Sequence, residues 1–216
     1  MDWSQTPQTV VAATVSLYWT CVVVMVIRSH IKYRVSSGSL PKTRFEKRMW
    51  YLWVPTIAAW IALTWNSDNV ITSNSAGSVP AWLATFWTVM NWAAAASAVA
   101  AFAMTTRCWI GMGRNWSMAV APQKDTELIT DGFFSSVRHP IYALSLMLMV
   151  SSAIVVFNLP MLVVATIHCS MLYIKSWNEE RYLTETHGEQ YRQYQKQTNR
   201  FIPWRAFVML SVSRSH

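Results

Sequence analysis

Five stretches of this chain, 9–27, 49–65, 79–104, 140–157 and 159–177, are apolar over close to the roughly 20 residues that a helix needs to cross a bilayer. In lipid every backbone N–H and C=O must find its partner inside the protein, so such runs can form only helices. The charged fraction of 13% agrees, since soluble domains carry about a quarter. Thirteen Trp also suit the belts at membrane–water boundaries. The expectation is an all-α, polytopic membrane protein, one domain over 1–216 with five transmembrane helices. MDWSQTPQ lacks a basic start and the first apolar run is too long for a signal core, so that run is expected to stay as a span. Cys21, Cys108 and Cys169 have no ligand spacing, which predicts neither a disulfide nor a structural metal.

Local signals refine this plan. Phe157-Asn158-Leu159-Pro160 reads as the tight turn of a helix hairpin, with the proline in the first turn of the fifth helix. AAAASAVAA in the third segment lets backbones approach closely, which makes that helix the expected packing spine. Pro55 predicts a bend or an opened hydrogen-bond ladder in the second.

Charge sets the expected orientation. Arg28, Lys32, Arg34, Lys42, Arg44, Lys47 and Arg48 fall in the first loop, and Arg107, Arg114, Lys124 and Arg138 in the third. The other seven of the 18 basic residues run from Lys175 into the C-terminal part. The N-terminal tail, the loop 66–79 and the hairpin turn have none. The positive-inside rule then puts the N-terminus outside and the C-terminus in the cytoplasm. A net charge of +8 belongs on this plan to a face lying against anionic head groups. No separate basic domain exists to hold a nucleic acid, so none is expected as a partner.

Two sizeable polar pieces remain, the loop 107–139 and the tail 178–216, both on the cytoplasmic side of this plan. GMG at 111–113 follows no strand and is discounted as a phosphate loop, while TELITDG could form a short extended piece. Helix five is expected to run out of the membrane into NEERYLTETH, ending at Gly188. That extension carries Glu179 and Glu180, and the i, i+4 spacing puts Lys175 and Glu179 on one face. Each residue also has a plainer reading. Arg138 and Lys175 could snorkel to head groups, His139 could simply start a helix with Pro140, and Glu179 and Glu180 could be a solvated pair. His168, mid-span, could be a working group or a neutral imidazole bonded to another helix. Their co-occurrence favours function. Arg138-His139-Pro140 and Lys175–Glu180 stand at the cytoplasmic ends of the two arms of one hairpin and must lie close together.

The order LITDGFFSSVRHPIY, an apolar hairpin, NEERYL and then HGEQYRQYQKQTNRFIPW resembles the integral-membrane methyltransferases, the isoprenylcysteine carboxyl methyltransferases and bacterial phospholipid methyltransferases. The similar part runs from about Gly111 to Trp204. The resemblance implies S-adenosylmethionine as methyl donor, held in a cytoplasmic pocket beneath loop and tail. Carried over by position, the donor contacts are Gln123, Glu127, Leu128, Ile129, Phe134, His139, Pro140, Tyr142 and Glu179. Two departures stand out: Lys175 where isoprenylcysteine enzymes commonly have arginine, and Phe134 where tyrosine is usual. A lysine lacks the flat bidentate fork that suits a carboxylate acceptor.

The residue types suit that chemistry. The donor's ammonium wants a carboxylate, Glu179 with Glu180 beside it, and its carboxylate wants Arg138 or His139. Methyl transfer is an in-line displacement, so positioning in a dry site matters most. An amine or thiol acceptor would need a base, for which His139 or a glutamate is the candidate; His139, Lys175 and Glu180 form the expected catalytic set. The acceptor, lipophilic or small, should enter laterally from among the membrane lipids. Two alternatives are an NADPH-dependent membrane reductase of sterol-reductase type and a non-enzymatic haem-binding membrane protein using His30, His139 or His168.

Overall fold

The computed structural model describes residues 6–33, 44–66, 80–113, 116 and 128–203. Over these the chain is helical: α1 (Thr6–Tyr33), α2 (Arg44–Asn66), α3 (Ala81–Met112), a short 3-10 turn (Gly132–Ser135), α4 (Pro140–Val155), α5 (Leu159–His187) and α6 (Glu189–Gln197). No strand occurs among the described residues. The one β-type contact there is an isolated parallel bridge between Val137 and Asn199. Of the expected extended piece TELITDG, residues 128–132 are described: 128–130 have no regular structure, Asp131 caps the 3-10 turn and Gly132 begins it.

The small-residue stretch behaves as a spine. Ala94, Ala95, Ala98 and Ala101 are buried on α3, which packs along α4 and α1. Opposite them α4 buries Leu148, Met149, Ser151 and Ser152. Alanine allows the backbones close, so dispersion contacts replace the hydrophobic drive that lipid removes. α2 packs on α5 and α1 instead. It continues through Pro55, and just beyond it Thr56 Oγ1 donates to the Leu52 carbonyl over 2.8 Å.

The hairpin turn forms where expected. Asn158 caps α5, its Oδ1 accepting from the Met161 amide at 2.9 Å, and Pro160 occupies the first turn. α5 then runs for 29 residues, about 44 Å at the helical rise, well beyond the roughly 30 Å of a hydrocarbon core. Its far end therefore stands clear of any apolar layer that its first part fills. Gly188 at φ 55 ends it in the left-handed region, where glycine carries no Cβ penalty.

By length and composition three helices can cross a membrane: Thr6–Arg28 of α1, Ala81–Met112 and Leu159–His187. α4 is apolar but has only 16 residues. α2 begins with Arg44, Glu46, Lys47 and Arg48, which shortens its apolar part. Large apolar side chains such as Tyr51, Trp82 and Leu159 face outward, as lipid contact requires.

Where α2, α4 and α5 meet, His168 sits fully buried among Trp19, Trp53 and Trp60. Trp53 Nε1 donates to His168 Nδ1 at 3.3 Å, and Ser145 Oγ lies 3.1 Å from Nε2. An indole N–H can only donate, so Nδ1 accepts and the ring proton stays on Nε2, directed at Ser145. Both nitrogens are engaged within the bundle. The structure thus realises the plainer of the two readings of His168, a neutral imidazole joining helices.

Candidate active site

Pro140 starts α4, and with its fixed φ it turns the chain sharply from the preceding loop into the helix. His139 is the N-cap residue and is buried. Its main-chain amide donates to the Arg200 carbonyl at 3.1 Å, and the Arg138 amide donates to the Asn199 carbonyl at 2.8 Å. The segment after α6 is thereby stitched to the start of α4.

Two adjacent glutamates on α5 collect different partners. Glu180 is a hub: it accepts from Arg138 Nε at 2.9 Å, from Arg200 Nε at 3.0 Å and Nη2 at 2.5 Å, and lies 3.3 Å from His139 Nε2. The Arg200 contact is a bidentate fork, the strong form of the pair. Glu179 accepts a short hydrogen bond from Tyr142 Oη, lies 3.5 Å from His139 Nδ1 and 3.9 Å from Lys175 Nζ. His139 therefore bridges both carboxylates, one with each ring nitrogen.

Lys175 is buried, with its ammonium 5.1 Å from the Trp53 ring centre and 5.2 Å from that of Tyr142. The two π faces and Glu179 replace part of the water that a buried ammonium loses.

The charges act on each other. Burial alone would lower the His139 pKa, but the hydrogen bonds to Glu179 and Glu180 outweigh it and raise it above the ordinary 6.5. Glu180 stands beyond the last apolar turn of α5. Burial there would raise its pKa, yet His139, Arg200 and Arg138 hold it far below the usual carboxylate range.

Most of the residues singled out in the sequence converge here. Arg138, His139, Pro140, Tyr142, Lys175, Glu179 and Glu180 lie together at one end of the hairpin. Phe134 is tied to α6 instead, its carbonyl accepting from Tyr194 Oη at 2.6 Å. Leu128 and Ile129 are half-buried ahead of the turn, and Gln123 and Glu127 lie outside the described residues. Arg138 turns its guanidinium inward, to Glu180 and to the carbonyls of Thr198 and Gln195. Among the described residues no cluster of three metal-ligating side chains occurs. The haem alternative loses its mid-span ligand, because both nitrogens of His168 are already bonded.

Arg200, Thr198 and Asn199 escaped the sequence reading. They belong to the tail motif NRFIPW and its flank, but nothing local says that this segment pairs with 137–139. That pairing spans some sixty positions of chain.

No curated protein matches the chain. Residues 93–185 match the model of the isoprenylcysteine carboxyl methyltransferase (ICMT) family. The matched segment runs from within α3 to within α5 and contains His139, Tyr142, Lys175, Glu179 and Glu180. The part of the chain that builds most of this ionic site is thus the part that is similar to the isoprenylcysteine carboxyl methyltransferase family.

Proposed function

We propose that this chain is an S-adenosylmethionine-dependent methyltransferase that acts at the cytoplasmic face of a membrane on a lipophilic or small acceptor. The observation carrying it is the convergence of His139, Tyr142, Lys175 and Glu179 at the polar end of the α4–α5 hairpin, within a segment similar to a methyltransferase family.

The residues fit the donor's amino acid end. Glu179 is a carboxylate at the edge of an apolar bundle, ringed by groups that keep it ionised, and suits an ammonium. The His139 and Tyr142 rings, stacked 5.3 Å apart, offer a flat wall of the kind an adenine or sulfonium prefers. Tyr191 Oη and Asn199 Nδ2, two of six buried polar atoms without a hydrogen-bond partner among the described residues, stand on α6 and in the segment stitched to Arg138, and are able to pair with polar groups of the donor. When bound, S-adenosylmethionine supplies an electrophilic methyl group.

The protein's own part is to hold Glu179 ionised, to keep water out with Trp53 and Tyr142, and to take a proton where the acceptor releases one. A carboxylate acceptor releases none. For an amine or thiol, His139 is the group able to take it, once its own proton has left to solvent. Lys175 stands one turn deeper than Glu179, where an acceptor arriving through lipid would meet it. Five spans with the N-terminus outside complete the proposal, and α2 and α4 are the two whose crossing rests on it.

Titration of the purified protein with S-adenosylmethionine, S-adenosylhomocysteine and NADPH tests the reading. Binding of the first two is expected, and binding of NADPH alone would overturn it. Transfer of labelled methyl to a lipid and small-thiol extract would then identify the acceptor. For topology, Ser73→Cys should react only with a reagent confined to the outer side; labelling from the cytoplasm would refute N-out.

A further inference from the structure

Arg200 sits where three independent contacts meet. Its guanidinium forks onto Glu180, with Nε to Oε1 at 3.0 Å and Nη2 to Oε2 at 2.5 Å. The same group lies over two aromatic faces of α5, 4.9 Å from the Trp177 ring centre and 5.6 Å from that of Tyr173. Its carbonyl accepts the His139 amide at 3.1 Å. One residue of the tail thus touches both membrane-boundary segments of the hairpin: α4 through main chain, α5 through side chain.

We propose that Arg200 is a positioning residue that latches the C-terminal segment across the two arms of the hairpin and, through Glu180, fixes the His139 ring between its two carboxylates. This rests on the methyltransferase reading only for its effect on the donor, not for the latch itself.

Glu180 Oε1 takes Arg138, Arg200 and His139 together, while Oε2 takes Arg200 and, at 3.5 Å, Gln195. A carboxylate rotates freely about its last bond unless both oxygens are held. Arg138 holds Oε1 only; Arg200 holds both. Without the fork Oε2 keeps only the long 3.5 Å contact from Gln195, so Glu180 is held firmly at Oε1 alone and His139 Nε2 faces a carboxylate of less fixed direction. The other nitrogen faces Glu179, so a disoriented ring disturbs the carboxylate assigned to the donor ammonium. The cation–π contacts with Trp177 and Tyr173 keep the guanidinium plane over α5 and favour Arg over Lys at this place.

The test is a double-mutant cycle with R200Q, E180Q and the double variant, read in two ways. In the ligand-free protein, hydrogen exchange at the amides of Arg138 and His139 should accelerate by about tenfold in each single variant, while amides of α3 keep their wild-type rates. S-adenosylmethionine affinity should fall about tenfold in each, and the double variant should be no worse than the weaker single one, because both changes break one device. Acceleration spread evenly over all helices, or donor losses that multiply to about a hundredfold, would overturn the latch. R200K keeps the charge without the fork and carries the same exchange readout where R200Q does not fold. A wild-type protein that binds no S-adenosylmethionine would remove the proposed function, yet the exchange arm would still decide the latch.

Discussion

The imidazole of His139 lies parallel to the phenol ring of Tyr142, with ring centres 5.3 Å apart and planes 3° apart, and both residues reach for the same carboxylate, Glu179. Stacking sets the imidazole's plane while the hydroxyl sets the position of the carboxylate. The two roles separate by mutation. Tyr142→Phe keeps the ring and removes the hydrogen bond, so donor affinity should fall by about threefold to tenfold, less than the roughly 1.5–3 kcal/mol of a charge-assisted bond because Tyr142 acts on the donor only through Glu179. Tyr142→Ala loses the wall as well and should bind more weakly than Tyr142→Phe by calorimetry; equal losses would mean that the stack contributes nothing.

The adjacent glutamates should fail in different ways. Glu179→Gln removes the proposed partner of the donor ammonium and should weaken S-adenosylmethionine binding at least tenfold, about 1.4 kcal/mol. Its melting temperature should fall less than that of Glu180→Gln, because Lys175 keeps the Trp53 and Tyr142 faces when the carboxylate charge is lost. Glu180→Gln leaves Arg138 and Arg200 without their shared counter-charge and should lower the melting temperature by several degrees. A melting loss in Glu179→Gln larger than in Glu180→Gln would contradict this division.

Stability should depend on pH with opposite signs at the two ends of the range. His139 has a folded pKa raised above 6.5, so its contribution is complete below that value and is lost as pH rises through the raised pKa. Glu180 has a folded pKa held below 4.5, so its contribution is complete above that value and fades as pH falls toward the lowered one. Melting in detergent should peak between the two, and His139→Gln should flatten the alkaline side alone. A profile unchanged by that substitution would sink the assignment.

His168 should behave as a structural joint. His168→Leu leaves the Trp53 indole N–H and the Ser145 hydroxyl without their partner, a cost of about 1–2 kcal/mol inside a bundle. The loss should appear as a lower melting temperature with donor affinity unchanged. A large change in affinity at constant stability would instead make His168 part of the site.

Lys175→Arg offers a test of acceptor chemistry. The planar guanidinium provides the bidentate geometry that an ammonium lacks. If the acceptor presents a carboxylate, the variant should retain or gain transfer to it; loss of transfer with intact donor binding would point to an acceptor that needs the compact ammonium.

Several elements were legible from the chain. The hairpin turn at Asn158-Pro160 follows from a cap and a proline side by side, both local chemistry. The end of α5 at Gly188 follows from the left-handed conformation that glycine accepts. The spine on α3 follows from a run of alanines. The site was legible in part for the same reason: Arg138-His139 and Lys175 to Glu180 flank one hairpin, and two arms joined by a tight turn must return to the same level. Arg200 was not legible, because its partner lies twenty positions away on α5 and its main-chain contact some sixty positions away.

Sequence by itself determined that the chain is a set of apolar helices with its charge gathered at their polar ends, because hydrophobic length and helix punctuation are properties of neighbouring residues. Spacing along the helix already put Lys175 beside Glu179; tertiary structure decided which other charges meet. Nothing in the order of residues says that Glu180 takes Arg138 and Arg200 while Glu179 takes Tyr142. That division depends on the rotation of α5 about its axis and on where the tail crosses it, and packing among distant helices sets both.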